Sequence, residues 1–324
     1  MNYRIARDKY KPDYFLYENN KSMSPAIRAQ ITHELGVEPV LINSALVSAQ
    51  NRQRLYWVGK RNSDGTYSKV NVEQPEDKGV LLRDILETNI DTEKTYPLCV
   101  AQRGRYANGD GRTVQKDNLI AEPVRIGTIE NNAKKQDFDS QQYRVYSPDG
   151  KGVTLCGNGG GVGAKTGLYA VPTSAEMLNP LPVYEVRDGH IAINGTRHPI
   201  KLADGLYIIR KLTVTECKRL QTVPDSYTFP VSDSQAYKML GNGWTVDVIA
   251  HIMSHFDFGK EPVAVLSMYD GMSCGRIALE KLGVEVGRYY AMEIDKYAIK
   301  TTMYNYPDTI QLGDAFQVRT QCVN

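Results

Sequence analysis

Helical and strand-like spacings of apolar residues alternate along the first 60 residues of the chain. They predict helices over 2–10 and 25–35 and strands over 14–17, 39–47 and 54–59. Proline 12 would stop the first helix, because its ring cannot continue the helical hydrogen bonds. Alternation of strands and helices is typical of a parallel, doubly wound sheet, so the predicted fold class is α/β.

The middle of the chain differs in composition and in its pattern of apolar residues. Residues 61–206 are rich in Gly, Asn, Asp and Thr and show few helical patterns. Short strand-like runs at 183–186 and 206–209 predict an irregular, mostly β insert that forms a second, smaller domain. Helical periodicity returns at 213–220 and 245–256.

The last 62 residues alternate between strands and helices once more. The pattern predicts strands over 263–267, 289–292 and 309–312 and helices over 274–282 and 296–304. Four parts of the chain follow from these changes of pattern, at 1–60, 61–206, 207–256 and 257–324.

Bulk properties exclude several classes of protein. The 41% apolar and 23% charged content is ordinary for a globular chain of 324 residues. No apolar run approaches the roughly 20 residues of a membrane helix, and the N-terminus lacks a secretory h-region, so we predict a cytoplasmic protein. The five cysteines are scattered without a C-x-x-C pair, which favours reduced thiols over zinc or disulfides. The net charge of +2 leaves any nucleic-acid partner to be argued from motifs.

The last three predicted strands end in groups that suit a nucleotide-like cofactor. The first runs into the turn 270–275 (Asp-Gly-Met-Ser-Cys-Gly), the second ends at Glu293, and the third ends at Asp314. Glycines let the backbone approach a ligand, an acid at the second strand end accepts ribose hydrogen bonds, and the third strand end can meet an adenine amine. A generic α/β turn with surface acids is the alternative, but three suitable strand ends in order favour the cofactor.

These three segments resemble the first three signature motifs of DNA (cytosine-5) methyltransferases, which bind S-adenosylmethionine. The resemblance implies a Rossmann-like S-adenosylmethionine-dependent methyltransferase sheet, in which Glu293 holds the ribose, Asp314 the adenine, and the Asp270 loop lies near the methionine. The usual first motif is aromatic-x-Gly-x-Gly, and residues 269–275 are closer to a phage and de novo-methyltransferase-like variant.

The N-terminal part resembles the same family. Residues 18–20 (Glu-Asn-Asn) are similar to its Glu-Asn-Val motif, which implies that Glu18 protonates N3 of a flipped cytosine and needs a buried carboxyl with a raised pKa. Residues 50–54 (Gln-Asn-Arg-Gln-Arg) resemble its Gln-x-Arg-x-Arg motif. Alternation along a strand predicts the Gln and both Arg on one face, where Arg52 and Arg54 would hold the base O2 or nearby phosphates. Without Glu18 beside them, a solvated basic edge would be the better interpretation.

Two later blocks extend the resemblance. Residues 210–225 match the family's Arg-x-Leu-Thr-x-x-Glu-x-x-Arg-Leu-Gln-x-x-Pro-Asp signature almost residue for residue, and a capping-box pattern opens a helix there, so we assign a structural role. Residues 237–244 resemble the closing motif, whose Gly-Asn loop lies beside the methionine end of the cofactor. The predicted cofactor-binding residues are Asp270, Gly271, Ser273, Cys274, Gly275, Glu293, Ile294, Asp314 and Asn242.

The insert lies where the family keeps its target-recognition domain. Residues 146–155 and 157–163 resemble the part that enters the base-contacting loops, so we predict a flexible DNA-facing loop, with a plain solvent loop as the alternative. Residues 160–166 look like a P-loop but do not form one, because Ala164 interrupts the motif and no strand-to-helix context supports it.

The order of the blocks differs from the common order of the family, in which the cofactor motifs come first and the Gly-Asn motif ends the chain. Here the Gly-Asn block precedes the cofactor strand, and residues 256–262 join the two. This order predicts a circular permutation, which is geometrically reasonable because both blocks converge on the cofactor.

The catalytic Pro-Cys of the family has no counterpart. The sequence contains no Pro-Cys dipeptide. Cys322 comes too soon after the third cofactor motif and lacks the preceding proline, Cys274 belongs to the cofactor turn, and Cys217 belongs to a packing helix. By analogy the missing strand would lie between the strands 263–267 and 14–17.

The missing strand would leave two central sheet edges exposed. Unpaired buried main-chain groups cost about 1–3 kcal/mol each, so the loss reaches the order of 10 kcal/mol, comparable with the roughly 5–15 kcal/mol stability of a domain. We therefore expect one half of a split enzyme, or a truncated piece of a longer one, completed by a second polypeptide that carries Pro-Cys.

The sequence thus predicts a DNA (cytosine-5) methyltransferase that acts on C5 of a flipped cytosine in double-stranded DNA. A cysteine thiolate would attack C6 while Glu18 protonates N3, followed by methyl transfer and β-elimination. The alternative is a catalytically inactive DNA- or cofactor-binding remnant or regulator. An RNA substrate fits less well, because the insert is large. A restriction-modification setting in a phage or bacterium is implied by the resemblance only.

Overall fold

The computed structural model of the chain describes residues 2–87, 98–99, 121–129, 141–157, 163–174, 182–193 and 195–317. The helices in these ranges are α1 (Asn2–Tyr10), α2 (Pro25–Leu35), α3 (Val214–Leu220), α4 (Asp233–Asn242), α5 (Val246–Met253), α6 (Cys274–Lys281) and α7 (Lys296–Asn305). The strands are β1 (Tyr14–Asn20), β2 (Val40–Asn43), β3 (Gln53–Arg61), β4 (Tyr67–Lys69), β5 (Leu98–Cys99), β6 (Arg125–Ile129), β7 (Arg144–Tyr146), β8 (Leu168–Pro172), β9 (Tyr184–Arg187), β10 (His190–Ile193), β11 (Thr196–Pro199), β12 (Gly205–Arg210), β13 (Val263–Met268), β14 (Val286–Met292) and β15 (Ile310–Gln311).

The N-terminal sheet is antiparallel, so the prediction of parallel strands in this part was wrong. Its order is β1-β3-β2, with β4 paired to β3, and β1, β2 and β4 all run antiparallel to β3. The connection from β2 to β3 explains the difference, because residues 44–52 are too few for the crossover of about a dozen residues or more that parallel neighbours need. The predicted strand 39–47 ends at Asn43 in the structure, because Ser44–Leu46 form a 3₁₀ turn directly after it.

The C-terminal sheet is parallel, as the sequence predicted. Its order is β13-β14-β15, with α6 and α7 as the crossovers. Together with the N-terminal sheet it confirms the α/β fold class.

The two α/β sheets are separate. Among the described strands, β13 pairs with β14 alone and β1 pairs with β3 alone. Helix α1 connects the sheets on one face: Ala6 packs against Met292 and Ala315 of the C-terminal part. From the same helix, the Tyr3 hydroxyl donates to the Leu16 carbonyl of β1 at 2.7 Å. The inner edges of both sheets therefore lack a partner strand in the described part of the chain.

A third sheet is built from the middle of the chain. Its order is β11-β10-β9-β12-β8-β7-β6-β5, and only the β7–β8 pair is parallel. Its apolar core includes Ile126, Leu168 and Ile191. The predicted boundaries at 60/61 and 206/207 fall within β3 and β12, and the division into four parts stays a prediction.

Helices α3, α4 and α5 hold the sheets together around the largest apolar core. The sequence did not predict α4, and it placed Gly241 and Asn242 in a loop, whereas they are the last two residues of this helix. A buried ion pair joins β12 to α3, since the Arg210 guanidinium donates two hydrogen bonds to the Glu216 carboxylate at 2.8 and 2.7 Å. Glu216 also completes a capping box with Thr213 at the start of α3.

Candidate functional site

The Glu18 carboxylate lies near the end of β1 and has one partner on each oxygen. Arg54 Nε on β3 is 3.0 Å from Oε1, and the Trp244 indole N–H donates to Oε2 at 3.2 Å. Burial raises the pKa of Glu18, while Arg54, Arg52 and the indole lower it, and the net shift is upward. A largely buried carboxyl with a raised pKa suits proton donation near neutral pH.

Arg52 and Arg54 both lie near Glu18 but have different hydrogen-bond partners, and the predicted common strand face for 50–54 stays a prediction. Strand β3 begins at Gln53, so Gln50 and Arg52 precede it. The Arg52 guanidinium is buried and donates to the carbonyls of Leu155, Gly241 and Gly243 at 3.0–3.1 Å. In this arrangement Arg52 ties three segments together, and Arg54 is the arginine that contacts Glu18.

A cavity of about 240 Å³ opens at the carboxyl ends of β13 and β14. The predicted cofactor turn forms one wall, and the end of α4 with the residues after it forms the opposite wall. The lining residues are Lys238, Met239, Asn242, Gly243, Trp244, Ser267, Met268, Tyr269, Asp270, Gly271, Met272, Cys274, Gly275, Glu293, Asp295 and Ala298. The structure therefore brings the two predicted cofactor blocks, which lie on either side of residues 256–262, to one cavity.

The Glu293 carboxylate is fixed at the cavity by main-chain donors. Gly271 N–H donates to Oε2 at 2.8 Å, and the N–H groups of Ile294 and Asp295 donate to Oε1 at 2.7 and 2.8 Å. Ile294 and Asp314 follow the ends of β14 and β15 but are not among the lining residues. Ile294 is 72% exposed, which leaves an apolar side chain open beside the cavity.

Hydrogen bonds to the Asp270 carboxylate fix the cofactor turn. The Tyr289 hydroxyl donates to Asp270 Oδ1 at 2.8 Å, and the Ser273 hydroxyl donates to Oδ2. Burial raises the pKa of Asp270, although these hydroxyl donors lower it in part. Ser273 and Tyr269 both have left-handed backbones, with φ of 59° and 58°, a conformation that costs a non-glycine residue about 1–2 kcal/mol. The Asp270 hydrogen bonds thus stabilise a strained turn.

The turn and Glu293 fit S-adenosylmethionine. Gly271 has a φ of 60° and open space where a Cβ would stand, so a ligand can approach the backbone closely. Glu293 carries a fixed carboxylate for hydroxyl donors, while Asp295 on the same wall is paired with Lys238 at 2.7 Å.

The segment that leads into the predicted DNA-facing loop packs against α4. A Cβ on Gly241 would lie 2.4 Å from the main chain of Cys156, and a Cβ on Gly157 would lie 2.0 Å from Asn242 Oδ1. Residues 158–162 of the predicted loop lie outside the described residues. The fully buried Lys151 secures the start of this segment by donating to the carbonyls of Ala45, Ser48 and Val80.

Of the three cysteines whose side chains the structure describes, two have thiols that are unsuited to nucleophilic attack. Cys217 and Cys274 are buried, and burial raises the pKa of Cys217 well above its usual value and that of Cys274 to about 12. Both thiols are therefore protonated at neutral pH. Cys156 is half-buried with its Sγ 3.6 Å from the Thr154 carbonyl. The predicted exclusion of Cys322 lies outside the described residues.

The sequence of the chain matches a known family over most of its length. A sequence model described as C-5 cytosine-specific DNA methylase matches residues 3–257. The chain belongs to the C-5 cytosine-specific DNA methylase family. This membership confirms the predicted resemblance to DNA (cytosine-5) methyltransferases, and S-adenosylmethionine is the cofactor of the family.

Individual relatives of the chain are distant. Type II methyltransferase M.HpaII of Haemophilus parainfluenzae is 28% identical over 253 residues, which cover 74% of the chain and 59% of that protein. M.HhaI of Haemophilus parahaemolyticus is 26% identical, covering 63% and 47%. Orphan methyltransferase M.SPBetaI of Bacillus phage SPbeta is 27% identical, covering 76% and 66%. The chain therefore spans about half to two thirds of the length of the curated relatives it matches.

Solved structures give a weaker likeness. Methyltransferase EhMeth of Entamoeba histolytica aligns with 75% of the chain and 62% of its own, at a TM-score of 0.43 and 14% identity. Within the described ranges of the chain, no helix has the length and apolar character to cross a membrane. The same ranges hold no group of three or more side chains suited to a metal ion.

Sequence reasoning missed the partners that fix the site residues. Trp244 ends the block that resembled the closing motif, but its contact with Glu18 joins residues 226 positions apart. Tyr289 was predicted only as the start of a strand, and its buried hydroxyl holds Asp270. A tryptophan directly after a Gly-Asn-Gly run was the available signal, since buried indole N–H groups usually find an acceptor.

Proposed function

We propose that the chain is the cofactor- and DNA-binding part of a DNA (cytosine-5) methyltransferase that acts on a flipped cytosine in double-stranded DNA. The observation that carries the proposal is the position of Glu18. Its carboxyl has a raised pKa, is oriented by Arg54, and lies one indole ring away from the cavity at the ends of β13 and β14. An acid beside a cofactor cavity is the pairing that this reaction requires.

On the cofactor side, residues that line the cavity, together with Asp314 beyond the end of β15, bind and orient S-adenosylmethionine. Glu293 accepts the ribose hydroxyls, Asp314 meets the adenine amine, and the turn from Asp270 to Gly275 accommodates the methionine end. When bound, S-adenosylmethionine supplies an electrophilic methyl group. The Asp270 hydrogen bonds keep the turn in one conformation, so its main chain need not reorganise when the ligand arrives.

On the DNA side, Glu18 moves a proton. Its carboxyl donates to N3 of the cytosine, which draws electron density from C6 and opens that atom to a thiolate. Arg54 holds the carboxylate after the proton has left and lies close enough to Glu18 to contact the base O2. The thiolate comes from a Pro-Cys segment that the 324 residues do not contain.

The inner edge of β1 is one of the two strand edges with which we propose that the missing segment pairs. The Asp13 carbonyl accepts from Arg61 N–H at 2.8 Å. By strand alternation the main-chain N–H and C=O groups of residues 13, 15, 17 and 19 therefore point toward β3, while those of 14, 16 and 18 point away from it. Val58, which is opposite Leu16, agrees with this register, because its carbonyl accepts from Val70 and not from β1.

The inner edge of β13 has the same character. Val263 N–H donates to the Glu285 carbonyl at 2.9 Å, so by alternation Val263, Val265 and Ser267 face β14, and the main-chain groups of Ala264, Leu266 and Met268 face the other way. Both edges thus present main-chain donors and acceptors with α1 across one face. An extended apolar strand, parallel to β13, is the occupant that would bond to both.

Circular permutation remains part of the proposal. The family match ends at residue 257, whereas the cofactor strand begins at Val263. Cofactor motifs that follow the matched region, rather than precede it, support a permuted order. A complementing polypeptide then needs to supply only the strand and helix between the third cofactor motif and α1.

Two measurements on the purified chain test the proposal: S-adenosylmethionine binding by calorimetry and tritiated methyl transfer to mixed-sequence DNA. We expect binding without transfer. Transfer by the chain alone would contradict the missing nucleophile. A chain that circular dichroism shows to be folded but that does not bind would contradict the cofactor assignment.

A fusion tests the missing segment directly. The Pro-Cys strand and the following helix of a family member would be joined ahead of Met1, with the Cys→Ser version as the matched control. We expect methyl transfer from the first fusion and none from the second. If the fused chain is folded and binds S-adenosylmethionine but transfers no methyl group, the better hypothesis is a catalytically inactive protein that binds DNA or the cofactor.

A further inference from the structure

The indole of Trp244 contacts both the candidate acid and the cofactor cavity. Its N–H donates to Glu18 Oε2 at 3.2 Å. Its benzenoid edge faces the cofactor turn, since a Cβ placed on Gly275 would lie 3.7 Å from Cζ3, and the ring lines the cavity. A single planar side chain therefore separates the two parts of the site.

The main chain on either side of the indole is fixed. The Gly243 carbonyl accepts from Arg52 Nη2 at 3.0 Å and from Gln221 Nε2 at 3.3 Å. On the other side, the buried Thr245 hydroxyl donates to Gln221 Oε1 at 2.8 Å. Because these neighbours anchor the backbone, the freedom left to Trp244 is rotation of its half-buried ring.

The position of the ring matters to Glu18. Arg54 occupies Oε1 and the indole N–H occupies Oε2, so the indole is the second of two contacts that set the plane of the carboxylate. Both contacts also favour the ionised form, against the burial that raises the pKa of Glu18. If the ring turned away, the carboxylate would keep one fixed oxygen and could rotate about it.

We propose that Trp244 is a positioning residue that transmits occupancy of the cavity to Glu18. A ligand of the nucleoside-sulfonium class that packs beside Gly275 restricts the benzenoid edge, and the restricted ring keeps its N–H on Oε2. The acid is then held in one orientation when the cavity is filled. The inference rests on the proposed function for the identities of the acid and the cavity, and it predicts that the two are energetically coupled.

Tryptophan fluorescence reports on the ring directly, because the chain contains two tryptophans, Trp57 and Trp244. Trp57 is fully buried and donates to Thr32, away from the site. In the Trp57→Phe variant, titration with S-adenosylmethionine should change the Trp244 emission with the same Kd that calorimetry gives. The matched control is Trp244→Phe, whose remaining Trp57 emission should not respond.

Binding affinities test the link to Glu18. Glu18→Ala should weaken S-adenosylmethionine binding about fivefold, near the lower end of typical coupling between sites. Glu18→Gln still offers an oxygen to the indole N–H and should restore most of the affinity. In the Trp244→Phe background, Glu18→Ala should change the Kd by less than about twofold, since the connecting hydrogen bond is already absent.

The possible results separate this inference from the proposed function. Calorimetric binding with unchanged Trp244 emission would overturn the inference and leave the cofactor assignment intact. If the emission changes but Glu18→Ala weakens S-adenosylmethionine binding equally in the parent and Trp244→Phe chains, Trp244 only lines the cavity, and the inference is also overturned. Absence of binding to the folded chain would overturn the proposed function itself. Circular dichroism melts of every variant establish that it is folded.

Discussion

The Arg54 guanidinium and the Glu18 carboxylate form a diagonal ion pair between adjacent strands, with Nε 3.0 Å from Oε1. In the β1–β3 register Glu18 stands opposite Tyr56, and Arg54 lies two residues from Tyr56 on the same face. Both side chains are less than one fifth exposed. The orientation of the candidate acid is therefore set by strand pairing and by the partly buried Trp244.

Glu18→Gln should abolish catalysis without removing the cofactor site. In the fusion that carries Pro-Cys, we expect kcat to fall by about 10²–10⁴-fold, the usual contribution of a positioned general acid. S-adenosylmethionine affinity should stay within about twofold, because the amide still accepts the indole hydrogen bond. Tritium transfer and calorimetry measure the two quantities. A variant that keeps the full rate would exclude Glu18 as the acid.

Breaking the buried Arg210–Glu216 pair should be costly. Arg210→Met leaves the Glu216 carboxylate, which is fully buried, without its two guanidinium donors. Removal of one partner of a buried pair costs about 3–5 kcal/mol, measured as the free energy of unfolding in urea. The matched control is the double change Arg210→Met with Glu216→Gln, which should recover part of the loss. Equal stability of the single variant and the parent chain would contradict this role.

Two helical glycines should respond in opposite ways to alanine. A Cβ on Gly241 would lie 2.4 Å from main-chain atoms of Cys156 and Gly157, so Gly241→Ala should destabilise the fold by about 1–3 kcal/mol. A Cβ on Gly275 meets only ordinary contacts at 3.6 and 3.7 Å. Gly275→Ala should therefore be neutral or stabilising by up to about 1 kcal/mol, while it weakens S-adenosylmethionine binding by narrowing the cavity. Thermal melts and calorimetry distinguish the two.

Asp247 should make stability depend on pH in the acid range. Burial alone would raise the pKa of Asp247, but Lys281 and Lys78 outweigh it and lower the pKa. The carboxylate therefore stabilises the fold above its unfolded pKa of about 3.9, and this contribution is lost as the pH falls through the lower folded value. Asp247→Asn should cost about 1 kcal/mol at pH 7, since Lys78 is half exposed and screened by solvent.

The test of this contribution is a series of melts between pH 3 and pH 7. The difference between the parent chain and Asp247→Asn should shrink as the pH falls below about 4, where the unfolded carboxyl becomes protonated. Lys78→Met, which removes one of the two cations, should lower the stability at neutral pH by less than Asp247→Asn does. A difference that stays constant across the series would mean that Asp247 acts without its charge.

Local elements were the part of the fold that the sequence determined. Helices α1 and α2 have the predicted bounds, because helical spacing and chain-local caps define them: Ser24 accepts from Ile27 at one end of α2, and Gly36 adopts the left-handed conformation at the other. The cofactor turn was also predicted at its observed place, since a strand, a glycine turn and a helix follow one another along the chain.

Only the tertiary structure decided how distant segments combine. The reversal of β3, the three carbonyls around Arg52, and the contact of Trp244 with Glu18 join residues separated by about 10 to more than 200 positions. No local pattern specifies such pairs, because they depend on which surfaces the packed sheets and helices bring together. The sequence therefore determined which chemical groups are present, and packing decided which of them meet at the site.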